Sequence, residues 1–185
     1  MKPVDRSELL DYVTYGEKRD EIRAAALRAK SMRRILVGEY FTFLFENRET
    51  VRYQIQEMMR TERMVKEDDI QHELDTYNEL LHPAGQLGCT LLIGIDDESE
   101  REEKLHAWIG LNDTIYAKMP DGSEVRPTWD PRQVGEGRLS SVQYLTFDFG
   151  DDAPTAMGID MRGAESETEL SESQREALRN DLTTD

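Results

Sequence analysis

Apolar residues recur at helical spacing through residues 45–81, which read FENRETVRYQIQEMMRTERMVKEDDIQHELDTYNELL. In the first half these positions are Val51, Ile55, Met58 and Met59. In the second half they are Ile70, Leu74, Tyr77 and Leu81. Asn47 is a favourable N-cap for the first helix, and a short link near residues 66–68 separates the two. The pattern predicts an antiparallel helical hairpin whose two apolar stripes face each other.

Polar side chains interrupt this predicted seam. At about 100° per residue, Glu62 falls on the apolar stripe of the first helix. The candidate site residues of the seam are Arg48, Glu62, Glu73, Tyr77 and Asn78. One interpretation is structural, with Arg48 paired to a glutamate across the seam. The other is a functional site, because buried carboxylates with perturbed pKa values cluster at such sites.

Helical patterns come first along the chain and strand patterns dominate after the hairpin. Residues 5–15 and 19–34 are predicted as two helices. The predicted strands cover residues 35–45, 87–95, 107–111, 114–118, 124–126, 142–149 and 156–161. This order favours an α+β fold, in which N-terminal helices and the hairpin pack on a mostly antiparallel sheet. A short C-terminal helix capped by Ser171 ends the chain.

We expect one domain over residues 1–185, because this length is ordinary for a single hydrophobic core. Within it, residues 1–34 carry the N-terminal helices and residues 35–86 carry a strand and the hairpin. Residues 87–163 are predicted as mainly β, and residues 164–185 as a polar segment with the last helix.

The hairpin sequence resembles a known family. The segments FENRETVRYQIQEMMRTER and IQHELDTYNELL are similar to a bacterial and archaeal family, domain of unknown function 3501, and so are RRILVGEYFTFLFENR and SSVQYLTF. Members are often encoded beside rubrerythrin and an iron–sulfur oxidoreductase subunit, so the resemblance implies a setting in redox metabolism. It also implies a histidine in the strand where this chain has Gln143.

The net charge of −16 comes from 39 acidic and 23 basic residues, of which only six are lysines. Widely spread acidity with few lysines is typical of a salt-adapted surface and suggests a haloarchaeal member of the family. The alternative is an acidic protein with a basic partner. Nucleic acid is a poor partner for a protein with this negative charge, because its phosphates are also negative.

Residues 18–34 are basic although the chain as a whole is acidic, because they contain seven lysines or arginines and two acidic residues. Arg23, Arg28 and Arg33 are therefore candidates for docking an acidic partner. The alternative is that these arginines are held by acidic neighbours within the fold.

The single cysteine, Cys89, excludes an internal disulfide and any site built on thiolates alone. Its apolar surroundings, LGCTLLIGI, predict a buried, unreactive thiol. Residues 1–8 are polar and no apolar run approaches the length that a membrane span needs, so we expect a cytoplasmic protein with no membrane partner.

Two Glu-x-x-His pairs, Glu79 with His82 and Glu103 with His106, have the spacing of carboxylate–histidine metal ligands on a helix. The indication is weak because glutamate is abundant and Pro83 ends the helix at His82. Of the two tryptophans, Trp108 is expected in the core, while Trp129 could stack on a ligand. The glycines form no phosphate or dinucleotide fingerprint, so no cofactor is identified.

Three hypotheses follow. The first is a non-catalytic accessory or binding protein of a redox system, with rubrerythrin or an iron–sulfur oxidoreductase subunit as its partner. The second is an enzyme with a carboxylate-based metal or acid–base site at the hairpin. The third is a structural subunit of an oligomer. The sequence leaves the ligand, the reaction and the oligomeric state open.

Overall fold

A computed structural model describes residues 1–135 and 137–184, and within them it confirms the predicted α+β class. The helices are α1 (Tyr12–Ser31), α2 (Arg48–Thr61), α3 (Glu67–Asn78), α4 (Glu98–Ala107) and α5 (Glu172–Leu182). The strands are β1 (Arg34–Val37), β2 (Phe41–Phe45), β3 (Gln86–Ile93), β4 (Ile115–Lys118), β5 (Glu124–Val125), β6 (Val142–Asp148), β7 (Ala156–Ile159) and β8 (Ser166–Glu169).

The strands form two antiparallel sheets, where the sequence predicted one. The first sheet has the order β1-β2-β3-β6 and the second has the order β5-β4-β7-β8. Residues from both sheets, including Phe43, Leu91 and Met157, belong to one buried apolar cluster. Leu105 of α4 and Leu178 of α5 join this cluster, so the main core lies between the sheets and these two helices.

The helical hairpin of α2 and α3 covers the opposite face of the first sheet. Because side chains alternate along a strand, Leu44, Thr90 and Tyr144, which are paired across β2, β3 and β6, share this face. A second buried cluster joins residues of the N-terminal segment to the two helices: Val4, Leu9, Val51, Ile55, Met59, Ile70 and Leu74.

Gly88 in β3 allows the hairpin to approach the sheet closely. A Cβ atom at this position would lie 2.2 Å from the backbone carbonyl oxygen of Leu80, just after α3. Only glycine fits such an approach of one backbone to another.

The N-terminal helices differ from the prediction. Residues 12–31 form one continuous helix with Asp11 as its N-cap, and only a short 3₁₀ turn, Arg6–Glu8, precedes it. Tertiary contacts extend the helix through Gly16: Tyr15 is fully buried and donates a hydrogen bond to Glu57 of α2, which also binds Arg19. These contacts outweigh the weak helix propensity of glycine.

The strand predicted at residues 107–111 is also wrong. Asp97 caps α4, which continues to Ala107, and Gly110 then turns with φ +92° into a 3₁₀ turn, Leu111–Thr114. Leu105 of α4, its C-cap Trp108 and Leu111 of the 3₁₀ turn are all buried in the core. Conversely, β8 forms in a segment predicted only as polar, because its side chains alternate at the outer edge of the second sheet. Among the described helices, none is both long and apolar enough to cross a membrane.

Candidate functional site

A cleft of about 900 Å³ lies between α3, β6 and the loop of residues 128–133. It exists because the hairpin covers only part of the sheet beneath it, which leaves Tyr144 of β6 about half exposed. This volume lies within the usual range of small-molecule sites.

One wall of the cleft is α3 and the turn after it. Glu73 and Tyr77 lie one helical turn apart on the same face, and Glu79 and His82 follow. Burial raises the pKa of Tyr77, so its phenol stays protonated at neutral pH and can donate a hydrogen bond. The structure therefore brings four of the predicted candidate residues together.

The opposite wall is the loop that contains Trp129 and Arg132. The Arg132 guanidinium binds Asp130, with Nε 2.8 Å from Oδ2, so its charge is locally balanced. The Gln133 amide donates to the backbone oxygen of Tyr144 at 2.8 Å and accepts from its N–H at 2.7 Å. These bonds attach the loop to β6 and fix the width of the cleft.

His82 lies at the base of the cleft, where its Nε2 atom is 3.1 Å from the hydroxyl oxygen of Thr146. Burial lowers the pKa of His82, so the ring is neutral at neutral pH. Although Glu79 also lines the cleft, the described residues contain no group of three or more His, Cys, Asp or Glu side chains arranged to hold a metal ion.

The family described as "Protein of unknown function (DUF3501)" matches residues 3–182 of this chain. The chain belongs to the DUF3501 family. It is also similar to a solved structure, a novel protein of unknown function from Burkholderia pseudomallei, with a TM-score of 0.89 and 26% sequence identity. The match covers 98% of this chain and 100% of that one. No curated protein matches the chain.

In this DUF3501 protein the predicted polar seam of the hairpin does not form. Glu62 is the C-cap of α2 and its side chain is exposed, so its predicted place on the apolar stripe is wrong. The helix ends there, and the chain leaves the helical phase on which the prediction rested. Arg48 pairs with Glu8 of the N-terminal segment and not with a glutamate of the seam.

Asn78 has a structural role in the DUF3501 protein. Its side chain accepts a hydrogen bond from the Val4 N–H at 2.8 Å and donates to the Val4 carbonyl at 3.0 Å. These bonds hold the N-terminal segment against α3, outside the cleft. The second Glu-x-x-His pair lies on α4, also outside the cleft, and there His106 contacts Glu102 and not Glu103.

The three arginines predicted for docking separate into two groups. Arg23 and Arg28 of α1 are exposed. Arg33 is an internal clamp, with Nε 2.6 Å from Oδ2 of Asp181 and Nη2 2.9 Å from Oδ1. Its assignment to a docking surface is therefore wrong, because both side chains are nearly buried between α1 and α5.

Gln143, found where the resemblance implies a histidine, is fully buried. It accepts a hydrogen bond from Asn112 at 2.9 Å and donates to the carbonyl of Ser140 at 2.9 Å. Since side chains alternate along β6, Gln143 faces the core and its neighbour Tyr144 faces the cleft. This position is therefore separate from the cleft.

Sequence reasoning did not identify Arg132 and Tyr144 of the cleft, nor Glu46 and Lys30, which lie at a smaller cavity beside it. A signal for Glu46 was present. It continues the alternation of β2 in phase with Leu44, so its side chain had to point toward the hairpin and not toward solvent.

Proposed function

We propose that this protein is a non-catalytic binding protein whose ligand is a small organic cation with an apolar, preferably aromatic, body. The observation that carries the proposal is the composition of the cleft. Trp129, Tyr77 and Tyr144 supply aromatic surface, and Glu73 and Glu79 supply carboxylates beside it. Cations bind favourably over aromatic faces and near carboxylates.

The charge balance supports a cation over an anion. Arg132 is neutralised by Asp130, and His82 is uncharged because burial lowers its pKa. The carboxylates of Glu73 and Glu79 are left in excess, within a chain whose net charge is −16. An anionic ligand would meet repulsion both near the cleft and on its approach to it.

Binding is favoured over catalysis by the state of Tyr77 and His82, two of the cleft residues that could transfer a proton. Tyr77 stays protonated because burial raises its pKa, and the Nε2 atom of His82 contacts the Thr146 hydroxyl. A general base needs a free lone pair directed at the substrate.

Calorimetry with phenethylamine and phenylacetate tests the proposal, because the two ligands share a ring and differ in the sign of their charge. We expect saturable binding of the amine alone. Glu73→Gln should weaken it about tenfold, which corresponds to about 1.4 kcal/mol. Glu98→Gln, at an exposed position of α4 outside the cleft, is the matched control. Equal binding of the anion, or no loss with Glu73→Gln, would refute the proposal.

Tryptophan fluorescence provides a second measurement, because the chain has two tryptophans. Trp129 lines the cleft, whereas Trp108 is only 6% exposed and lies in the core. The amine should change the emission of the Trp108→Phe variant and leave that of Trp129→Phe unchanged. The opposite result would place the ligand elsewhere.

We also propose a docking surface on α1 for an acidic redox partner, the rubrerythrin or iron–sulfur oxidoreductase subunit that the family resemblance implies. Arg23 and Arg28 support it: they are exposed and, within the described residues, form no ion pair, whereas Arg19 and Arg33 are held internally. Arg23→Glu with Arg28→Glu should abolish co-purification with the partner. Arg162→Glu, an exposed arginine in the turn before β8, is the control. Retained co-purification would exclude this surface.

A further inference from the structure

A second cavity, of about 220 Å³, lies between the first sheet and helices α1, α2 and α3. We call it the inner cavity. Tyr77, Leu80 and Tyr144 line both it and the cleft, so these side chains form the wall between the two. Lys30 and Glu46 line the inner cavity and not the cleft.

Glu46 places a carboxylate in this cavity. The residue is only 7% exposed. Its Oε2 atom accepts a hydrogen bond from the Thr50 hydroxyl at 2.6 Å, and its Oε1 atom accepts one from the Thr90 hydroxyl at 2.9 Å. Among the described residues no lysine, arginine or histidine nitrogen lies within 4.0 Å of the carboxylate, so hydroxyl groups alone contact it. Buried carboxylates are normally paired with a positive charge.

Lys30 of α1 also lines the inner cavity. Its Nζ atom lies 5.2 Å from the centre of the Tyr53 ring, and the residue is partly buried. Burial lowers the pKa of Lys30, while the nearby Glu46 opposes that shift. Within the described part of the chain no carboxylate lies within 4.0 Å of this amine.

The inner cavity is thus lined by an acidic and a basic residue that form no ion pair with each other. We infer that it is a binding site for a small zwitterion, with the ammonium group of the ligand at Glu46 and its carboxylate at Lys30. Each charged end of such a ligand replaces the missing counter-ion of one side chain. The amide of Gln54 and the phenol of Tyr77 also line the cavity and can bind neutral polar atoms of the ligand.

A ligand with a single charge fits less well. A simple amine that binds Glu46 also brings its positive charge close to Lys30, and a simple carboxylate at Lys30 meets the negative charge of Glu46. Like charges brought together within a partly buried site repel strongly. The arrangement therefore selects for ligands that carry both charges.

The test is calorimetry and thermal melting of the whole protein with glycine, β-alanine and γ-aminobutyrate, which separate the two charges by increasing lengths. Ethylamine and propionate are the single-charge controls. We expect at least one zwitterion to bind saturably and raise the melting temperature, and neither control to do so. Failure of all three zwitterions, or equal binding of a single-charge control, would overturn the inference.

Two variants give a reciprocal test that unfolding cannot imitate. Lys30→Met should weaken zwitterion binding at least about tenfold and should allow ethylamine to bind, because Glu46 then lacks an opposing charge. Glu46→Gln should weaken zwitterion binding by a similar factor and should allow propionate to bind at Lys30. Lys18→Met is the control, because Lys18 is exposed on α1 and does not line the inner cavity. Unchanged zwitterion affinity in Lys30→Met, whose side chain is partly exposed, overturns the inference even if Glu46→Gln does not fold.

Discussion

Replacing Arg33 by methionine should destabilise the protein far more than the same replacement of an exposed arginine of α1. Arg33 donates two parallel hydrogen bonds to the carboxylate of Asp181, and its Nη1 atom donates a third, of 2.9 Å, to the carbonyl of Ala29. The side chains of Arg33 and Asp181 are only 12% and 9% exposed. Screening by solvent is therefore small, and the pair cannot be treated as a surface salt bridge.

The expected magnitude follows from what Arg33→Met leaves behind. Among the described residues, the Asp181 carboxylate would retain only a long hydrogen bond of 3.4 Å from the Asn47 side-chain amide. A buried carboxylate without its cation costs about 3–5 kcal/mol of stability. In the double variant Arg33→Met/Asp181→Leu, most of this loss should return, because no charge remains unpaired.

Urea denaturation followed by far-UV circular dichroism measures these free energies of unfolding. The slope with denaturant should stay constant while the midpoint falls, which identifies a change of stability and not of the unfolded state. Arg28→Met, on the exposed surface of α1 just before Arg33, is the control and should change stability by about 0.5 kcal/mol or less. A loss of that small size for Arg33→Met would refute the assignment of Arg33 as an internal clamp.

Three further predictions concern other parts of the molecule. Gly88→Ala should destabilise the protein by about 1–3 kcal/mol, because the added Cβ would clash with the Leu80 carbonyl oxygen. Gly16→Ala should not destabilise it, because no atom lies within 4 Å of the added Cβ. Thermal melting of the two variants tests both expectations. Burial lowers the pKa of His82 below 6.5, so the unfolded state binds a proton at a higher pH than the folded state does. The free energy of unfolding should therefore fall as the pH drops below about 6.5, and it should fall less in His82→Gln. If the free energies of unfolding of the two proteins differed by the same amount at every pH, this prediction would be contradicted. With a net charge of −16, the melting temperature should rise between about 0.15 and 1 M salt, and an unchanged value would refute salt adaptation.

The hairpin was predictable because its signal is local. Apolar residues at helical spacing and a capping Asn47 determine α2 and α3 with little help from the rest of the chain. The continuity of α1 was not predictable in this way, because it depends on Tyr15 and Arg19 reaching Glu57, which lies about forty positions later. Sequence patterns give the propensity of a segment but not the partners that override it.

The candidate site likewise contains positions that local sequence patterns predict and positions that depend on distant contacts. Helical phase placed Glu73 and Tyr77 close together on α3, and both line the cleft, which the sequence did not predict. The prediction from helical phase was wrong for Glu62, because this residue lies where α2 ends. Arg132 joins the cleft through a loop whose position depends on hydrogen bonds to β6, and the sequence gives no period from which that position could be deduced.

The loop of residues 128–133 has a consequence for self-association. β6 is an outer strand of its sheet, and an outer strand with free backbone groups can recruit a strand from another molecule. Here Thr128 and Gln133 occupy backbone groups of Thr146 and Tyr144 that would make this pairing possible. Trp129 and Arg132 lie in the same loop, so the segment that forms one wall of the cleft also covers the edge of the sheet.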